Sequence, residues 1–190
     1  HVKTDFASGD TRTPEFLRIN PNGHVPALVD GELRLFESMA INLYLAERYG
    51  AGRLFPESLE DRARAVQWSF WVMTQCEAHL FALLFARGGS QFAKWRDWTE
   101  SAEFKETHPG HVPPDAKAAR AALEGPLRVL DQALADREHL LGGGFGVADL
   151  NVASVLVTAR LALLRLGAWP RLDAWLTRCT SRPALAAAAR

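Results

Sequence analysis

Two short stretches among the first forty residues combine groups that suit a peptide-like ligand. In the first, Val25-Pro26 opens an apolar run, where a proline is either a simple edge-strand residue or follows a cis peptide bond. A cis bond would turn the backbone N–H and C=O of Val25 outward, where they could pair with an extended ligand as an added strand does. The dipeptide alone leaves both interpretations open.

The second stretch is Glu37-Ser38, where an apolar run changes into a helical pattern. Ser38 is a good N-cap, and the free N–H groups at a helix start attract a carboxylate. Glu37 adds a negative charge that suits an amino group. The pair therefore fits a ligand with an α-amino and an α-carboxyl group; the alternative is a serine that caps only its own helix.

The elements that would position these residues follow from the surrounding pattern. Asp30-Gly31 between the apolar runs 25–29 and 33–36 predicts a β-hairpin. The pattern also predicts a strand over 2–6, a short helix over 15–19 with Thr13 as N-cap and Pro14 in its first turn, and a helix from Ser38 with Gly50 as C′ residue. This order, strand, helix, hairpin, helix, is a small α/β unit.

From residue 59 onward the pattern is almost wholly helical. It predicts a long helix over 61–87, a helix over 115–136 that bends near Gly125-Pro126, a helix marked by Leu150, Ala153, Val157, Leu161 and Leu164, and a short helix over 172–178. These helices form a bundle.

Composition excludes several classes of protein. In 190 residues, 22 Lys and Arg balance 22 Asp and Glu, which argues against a nucleic-acid partner. No apolar run approaches the roughly 20 residues of a membrane-spanning helix. Two cysteines without a CxxC motif or a metal-ligand cluster predict a cytoplasmic protein without a metal.

The hairpin region as a whole resembles a known family. Residues 20–31, 35–41 and 44–46 together are similar to the glutathione-binding half of the cytosolic glutathione S-transferases, of bacterial or plant type and theta/phi-like, and a looser resemblance extends to about residue 185. It implies an α+β thioredoxin-like domain over 1–50, a linker over 51–58, and an all-α helical-bundle domain over 59–190 that carries the electrophile site.

The resemblance also implies roles for individual residues. The backbone of Val25 would pair with the cysteinyl residue of glutathione, Ser38 would hold the γ-glutamyl carboxylate, and Glu37 the amino group. His24 would contact the backbone or the glycyl end of glutathione, and Arg12 would reach its glycyl carboxylate; the alternative for both is a solvated side chain. Trp71, Trp68 and Gln75 would line the electrophile pocket, with core packing as the alternative for the two tryptophans. Glutathione is the implied co-substrate, and a homodimer the implied assembly.

The segment before the last long helix is similar to the family's capping box. Phe145-Gly146-Val147-Ala148-Asp149-Leu150 places Asp149 three residues after an N-cap at Gly146, where the family has Ser or Thr. Phe145 would pack on Leu150 as a hydrophobic staple. Asp149 is therefore assigned to folding and not to catalysis.

These observations predict a glutathione transferase that conjugates the glutathione thiolate to a hydrophobic electrophile. The alternatives are a non-catalytic interaction module of the same fold, in a translation or transcription complex, and a glutathione-dependent dehalogenase or etherase. The family's first strand and helix have no counterpart before residues 2–6, so the catalytic Tyr, Ser or Cys is expected upstream of His1.

Overall fold

The computed structural model describes residues 2–4, 9–88, 100–107 and 115–188. The backbone divides into two compact units, His1–Ala63 and Arg64–Arg190. The predicted domain limits at residues 50 and 59 remain a prediction. Among the described residues, no helix is long and apolar enough to cross a membrane.

The first unit is built on a β-hairpin and one long helix. Its elements are a 3-10 turn at Asp10–Arg12, α1 at Pro14–Leu17, β1 at Ala27–Asp30, β2 at Leu33–Phe36 and α2 at Ser38–Gly50, and it ends within α3 at Leu59–Val72. The strands are antiparallel, with Ala27 opposite Phe36 and Asp30 opposite Leu33. The hairpin and the Thr13 cap are confirmed, since Thr13 Oγ1 accepts from the Phe16 N–H at 3.3 Å.

Two expectations for the first unit are wrong in detail. Residues 2–4 form no strand, and the rest of the predicted strand, residues 5 and 6, lies outside the described part of the chain. Gly50 is the last residue of α2 and not its C′ residue, and a Cβ at Gly50 would lie 2.8 Å from Leu54 Cβ. Close approach of the following turn therefore explains this glycine.

The described part of the second unit is helical. Its elements after α3 are a π-helical segment at Met73–Glu77, α4 at Ala78–Arg87, α5 at Ala102–Thr107, α6 at Ala116–Ala133, α7 at Val147–Leu161, α8 at Pro170–Thr180 and α9 at Pro183–Ala188. The predicted helix over 61–87 thus begins at Leu59 and carries the π-helical segment in its middle. Ser58 caps its start, because Ser58 Oγ accepts from the Asp61 N–H at 3.1 Å. Helix α6 continues through Pro126, and sequence reasoning missed α5 and α9.

The core of the second unit surrounds α7. The fully buried side chains of this core include Val72, Leu80, Leu123, Leu127, Leu130, Leu156, Leu172, Trp175 and Leu176. Helix α7 is buried on most of its sides, so the predicted apolar face is only partly right. Ala153 and Leu164 are buried, but Leu150 and Leu161 are exposed, and the buried residues also include Val152, Val155 and Leu156. A helix covered on most sides carries apolar residues all round, so its periodicity does not single out one face.

Buried polar groups hold the ends of these helices. Asp149 is fully buried, and its carboxylate accepts from the Gly146 N–H at 3.1 Å, which confirms this half of the predicted capping box. The same carboxylate accepts from the Leu140 N–H at 3.0 Å and from Trp175 Nε1 at 2.8 Å. Asp149 therefore joins the start of α7 to the preceding loop and to α8, as its assignment to folding requires.

Candidate functional site

The loop before β1 is held by the buried side chain of Asn20. Its Nδ2 donates to the His24 carbonyl at 2.6 Å, and its Oδ1 accepts from the Asn22 N–H at 3.0 Å. One amide thus closes the turn that leads into Val25. The imidazole of His24 is exposed.

Arg12 lies against this same loop. Its Nη1 donates to the Asn22 carbonyl at 3.3 Å, and Gly23 has a φ of +64°. A Cβ on Gly23 would lie 2.6 Å from Arg12 Nη1, so only glycine permits this approach. The fold therefore brings Arg12 to the loop that carries His24, although they are twelve positions apart in the sequence.

Val25 leads from this loop into β1 and keeps its backbone groups available. The Val25–Pro26 bond is cis, which confirms one of the two interpretations of this dipeptide. The residue is 44% exposed, and neither its N–H nor its C=O has a hydrogen-bond partner among the described residues. An extended ligand can therefore pair with this residue in the manner of an added strand.

The start of α2 lies at the same end of the hairpin. Ala27 is opposite Phe36, so Val25 and Pro26 precede β1, and Glu37 and Ser38 follow β2, at the same end of the hairpin. Glu37, and not Ser38, is the N-cap, because the Ile41 N–H donates to the Glu37 carbonyl at 3.0 Å. Ser38 is the first helical residue, which corrects its predicted place by one position.

The backbone at this junction is strained. Glu37 has φ +71° and ψ 115°, a conformation that a residue with a Cβ rarely adopts. Strand β2 passes directly into α2 here, so one residue makes the whole change of direction. Such strain gathers at binding sites, and nothing in the residue types 36–38 signals it.

The first turn of α2 presents unused donors and an acidic side chain. In the described part of the chain, the N–H groups of Ser38, Met39 and Ala40, the Ser38 hydroxyl and the Glu37 carboxylate have no hydrogen-bond partner. Donors at a helix N-terminus attract a carboxylate, and the Glu37 side chain attracts an ammonium group. This arrangement suits the two charged groups of an α-amino acid.

The far end of α2 is fixed to the hairpin by a polar cluster that sequence reasoning missed. Asp30 Oδ2 accepts from the Tyr44 hydroxyl at 2.7 Å and from the Tyr49 hydroxyl at 3.1 Å, and Arg48 Nε lies 3.2 Å from the same oxygen. The hydrogen bonds from the two tyrosines are the main reason why the pKa of Asp30 is lowered. The sequence indicates Asp30 only as a turn residue, because a hairpin motif does not show which side chains pack beside it.

The residues predicted to line an electrophile pocket lie in the second unit. The rings of Trp68 and Trp71 meet edge to face with centroids 5.0 Å apart, and both are half-buried. Gln75 is exposed and belongs to the π-helical segment, which changes the spacing of side chains after Val72. In the same segment Cys76 is buried, and burial raises the pKa of its thiol to about 12. A π-helical turn within an α-helix has no signal in the apolar pattern.

No group of three or more His, Cys, Asp or Glu residues suited to a metal ion occurs within the described ranges. Of the predicted site residues, Arg12, His24 and Val25 lie on or against the loop before β1, and Glu37 and Ser38 lie where β2 passes into α2.

Comparison with known proteins gives matches in both units. Residues 1–47 match the family model "Glutathione S-transferase, N-terminal domain", and residues 102–178 match "Glutathione S-transferase, C-terminal domain". The curated protein Glutathione S-transferase 3 of Zea mays is 30% identical, over 96% of this chain and 78% of its own length.

A second curated relative and a solved structure extend this comparison. The Disulfide-bond oxidoreductase YfcG of Escherichia coli is 29% identical, over 96% of this chain and 79% of its own length. The crystal structure of the glutathione transferase URE2P6 of Phanerochaete chrysosporium with oxidised glutathione superposes with a TM-score of 0.73. Its sequence is 26% identical, and the alignment covers 98% of this chain and 80% of that one.

Proposed function

Since this chain belongs to the glutathione S-transferase family and uses glutathione as its co-substrate, we propose that it conjugates the glutathione thiolate to a hydrophobic electrophile. In that reaction the sulfur of glutathione bonds to an electrophilic carbon, and the leaving group departs with its electron pair. The fold is the family's, a thioredoxin-like domain followed by an all-helical domain.

The observation that carries the assignment of the site is the junction of the hairpin with α2. The γ-glutamyl carboxylate accepts from the N–H groups and the hydroxyl at Ser38, and the γ-glutamyl amino group pairs with Glu37. All these groups are without partners in the described structure and lie at the same end of the hairpin as Val25. The ligand's amino acid end and its peptide portion are thus bound at neighbouring positions.

The remaining parts of glutathione follow along the chain. Its cysteinyl residue pairs with the N–H and C=O of Val25, which places the thiol beside β1. Its glycyl carboxylate lies towards Arg12, a guanidinium already held against Gly23, and His24 contributes from the same loop. The charges of the ligand are met locally, which agrees with the chain's net charge of zero.

Neither cysteine in the sequence takes part in this chemistry. Both Cys76 and Cys179 are buried, and burial is the main reason why the pKa of each thiol is raised to about 12. At neutral pH both stay protonated and out of reach of a substrate. Neither Cys76 nor Cys179 therefore competes with glutathione as the source of the reactive sulfur.

The electrophile is bound by Trp71, Trp68 and Gln75. The edge-to-face pair of indoles offers a rigid apolar surface, and the exposed amide of Gln75 adds a polar contact nearby on the same helix. We expect Trp71→Ala to raise the KM for the electrophile several-fold and to leave the KM for glutathione unchanged, with Trp71→Phe intermediate. Initial rates over a matrix of both substrate concentrations measure this.

The assembly is a homodimer. In the second unit, Val66 and Phe70 lie one turn apart on α3 and are exposed, Phe70 to 67%, and Phe81 is exposed further along on α4. An apolar surface of this kind is typical of an interface. Sedimentation equilibrium is expected to give twice the chain mass for the wild type and a monomer for Phe70→Asp. The matched control Val129→Asp, an exposed position on α6, is expected to stay dimeric.

The direct test is binding to immobilised glutathione, followed by an assay with a chromogenic aryl halide. We expect retention, elution by free glutathione, and a rate that saturates with both substrates. Ser38→Ala should weaken retention, whereas Ser181→Ala, which changes an exposed serine in the second unit, should not. Retention without turnover of any electrophile would favour a non-catalytic interaction module, and halide release from alkyl halides alone would favour a dehalogenase.

A second candidate function is disulfide reduction, which the name of the Escherichia coli relative favours. Two glutathione molecules would reduce one disulfide to two thiols and leave as oxidised glutathione, so the protein needs no cysteine of its own. A model disulfide assayed beside the aryl halide separates the candidates by the ratio of their kcat/KM values.

A further inference from the structure

The cluster of Asp30, Tyr44, Arg48 and Tyr49 has no role in the chemistry derived so far. A single carboxylate oxygen, Asp30 Oδ2, receives the hydroxyls of Tyr44 at 2.7 Å and Tyr49 at 3.1 Å and faces Arg48 Nε at 3.2 Å. The three partners extend along α2 from its middle, at Tyr44, to its last turn, whereas Asp30 is the last residue of β1. The cluster therefore joins the two segments that begin at the two halves of the proposed site.

We propose that the hydrogen bond from Tyr44 to Asp30 is a positioning contact that sets where the start of α2 lies relative to Val25, and thereby sets the affinity for glutathione. This inference rests on the proposed function. Tyr44 and Asp30 touch no ligand; they act through Ser38 and through the free backbone groups of Val25.

Apolar packing alone leaves the distance between the start of α2 and Val25 loosely defined. Helix α2 buries Ile41 and Ala46, but such contacts are non-directional and tolerate small rotations. A hydrogen bond requires a short distance and a defined angle, so it does not tolerate such rotations. Tyr44 is half-buried, so its bond to Asp30 is the better shielded of the two phenolic contacts, since Tyr49 is 62% exposed.

The geometry converts a small rotation into a displacement that matters for binding. Ten positions of α-helix separate Ser38 from Arg48, about 15 Å along the axis. When the bond at Tyr44 is lost and the last turn stays in place, a tilt of about 4° moves the first turn by about 1 Å, a misplacement large enough to weaken the contacts of Ser38 with the ligand. Arg48 and Tyr49 hold the last turn but are more exposed, and exposed ion pairs contribute little.

The test compares Tyr44→Phe with two matched variants in the full chain. Tyr49→Phe removes a hydroxyl from the same acceptor, and Ser58→Ala removes the cap of α3 in the same unit without touching the hairpin–α2 contact. The readouts are the Kd for glutathione by titration calorimetry, the KM for each substrate, the kcat at saturation, and amide hydrogen exchange of residues 41–43.

Tyr44→Phe is expected to raise the Kd and KM for glutathione about 3- to 10-fold, within the range that a misplacement of this size permits. It should leave the KM for the electrophile and the saturated kcat within about two-fold, and should speed exchange at residues 41–43, the first amides of α2 that are hydrogen-bonded. Tyr49→Phe should have a smaller effect and Ser58→Ala none on glutathione binding. Asp30→Asn, which keeps one acceptor oxygen, should lie between the wild type and Asp30→Ala.

Unchanged glutathione affinity in a folded Tyr44→Phe variant overturns the positioning role, whatever the hydrogen exchange shows, and leaves the proposed function standing. An equal loss in Ser58→Ala also overturns it, because the effect would then follow general stability. A wild-type protein that does not bind glutathione refutes the proposed function and the inference together.

Discussion

Replacing Asp149 with alanine measures how much of the second unit's stability depends on one buried carboxylate. The side chain is fully buried and accepts from the Leu140 N–H at 3.0 Å, from Trp175 Nε1 at 2.8 Å and from the Gly146 N–H at 3.1 Å. The first two donors belong to buried residues, and an orphaned buried donor costs about 1–3 kcal/mol. The Gly146 N–H belongs to a partly exposed residue, where water can replace the lost partner.

The expected loss is therefore about 3–5 kcal/mol in the free energy of unfolding. For a chain of this size that corresponds to a fall in Tm of about 6–20 °C. Asp149→Asn should lower the free energy of unfolding by about half as much as Asp149→Ala. One acceptor oxygen is kept, but the new amide N–H groups face an N–H donor that the carboxylate had bound. Thermal unfolding by circular dichroism and urea titration measure both variants.

A matched control lies in the same capping box. Gly146 has φ −131° and ψ −172°, which any residue adopts, so Gly146→Ser should add an acceptor for the Asp149 N–H. It should raise the free energy of unfolding by a few tenths of a kcal/mol. A cost below 1 kcal/mol for Asp149→Ala, or an unchanged Tm with a loss of kcat, would refute the assignment of this residue to folding.

Three further predictions follow from single contacts. Leu163 is 66% exposed and has a φ of +56°, which strains a residue with a Cβ. Leu163→Gly should therefore raise the free energy of unfolding by about 0.5–1 kcal/mol in urea titrations, and a decrease in that free energy would contradict the strain. Asp131 on α6 accepts from two N–H groups in the first turn of α8, so Asp131→Ala should cost about 2 kcal/mol by the same assay; a change below 0.5 kcal/mol would mean that water replaces this cap. Because burial raises the pKa of Cys76 and Cys179 to about 12, both thiols should resist a thiol reagent at pH 8 in the native protein and react at once in urea. In the unfolded chain a thiol has a pKa near 8.5, so above pH 8.5 each cysteine should lower the free energy of unfolding by about 1.4 kcal/mol per pH unit, which urea titrations between pH 8 and 10 measure. Fast reaction of the native protein with the thiol reagent would contradict the burial of the two cysteines.

Features whose chemistry lies among neighbouring residues were predictable from the sequence. Thr13 caps α1, Asp30-Gly31 leads into a two-residue turn, and the Asp149 carboxylate reaches back three positions. The local order Val25-Pro26 and Glu37-Ser38 also marked both halves of the candidate site. Each of these depends on the geometry of one turn or one helix start, which a few adjacent residues dictate.

The first and last residues of the helices, and the faces that each helix buries, were less predictable, because both depend on what packs against the helix. Ser38 reads as a cap, but the strained backbone of Glu37 moves the helix start by one residue. The π-helical segment at Met73–Glu77 shifts the spacing of an otherwise regular helix, and α7 is buried on most sides.

Contacts between distant residues were decided by the tertiary structure alone. Tyr44 and Tyr49 meet Asp30 from 14 and 19 positions away, and Asp131 caps a helix 40 positions further on. No local pattern encodes such pairs, since either partner by itself reads as an ordinary polar residue. Motifs of adjacent residues therefore predict the residues that we propose to bind glutathione, whereas the separation of those residues depends on how α2 packs on the hairpin, through contacts that only the folded chain makes.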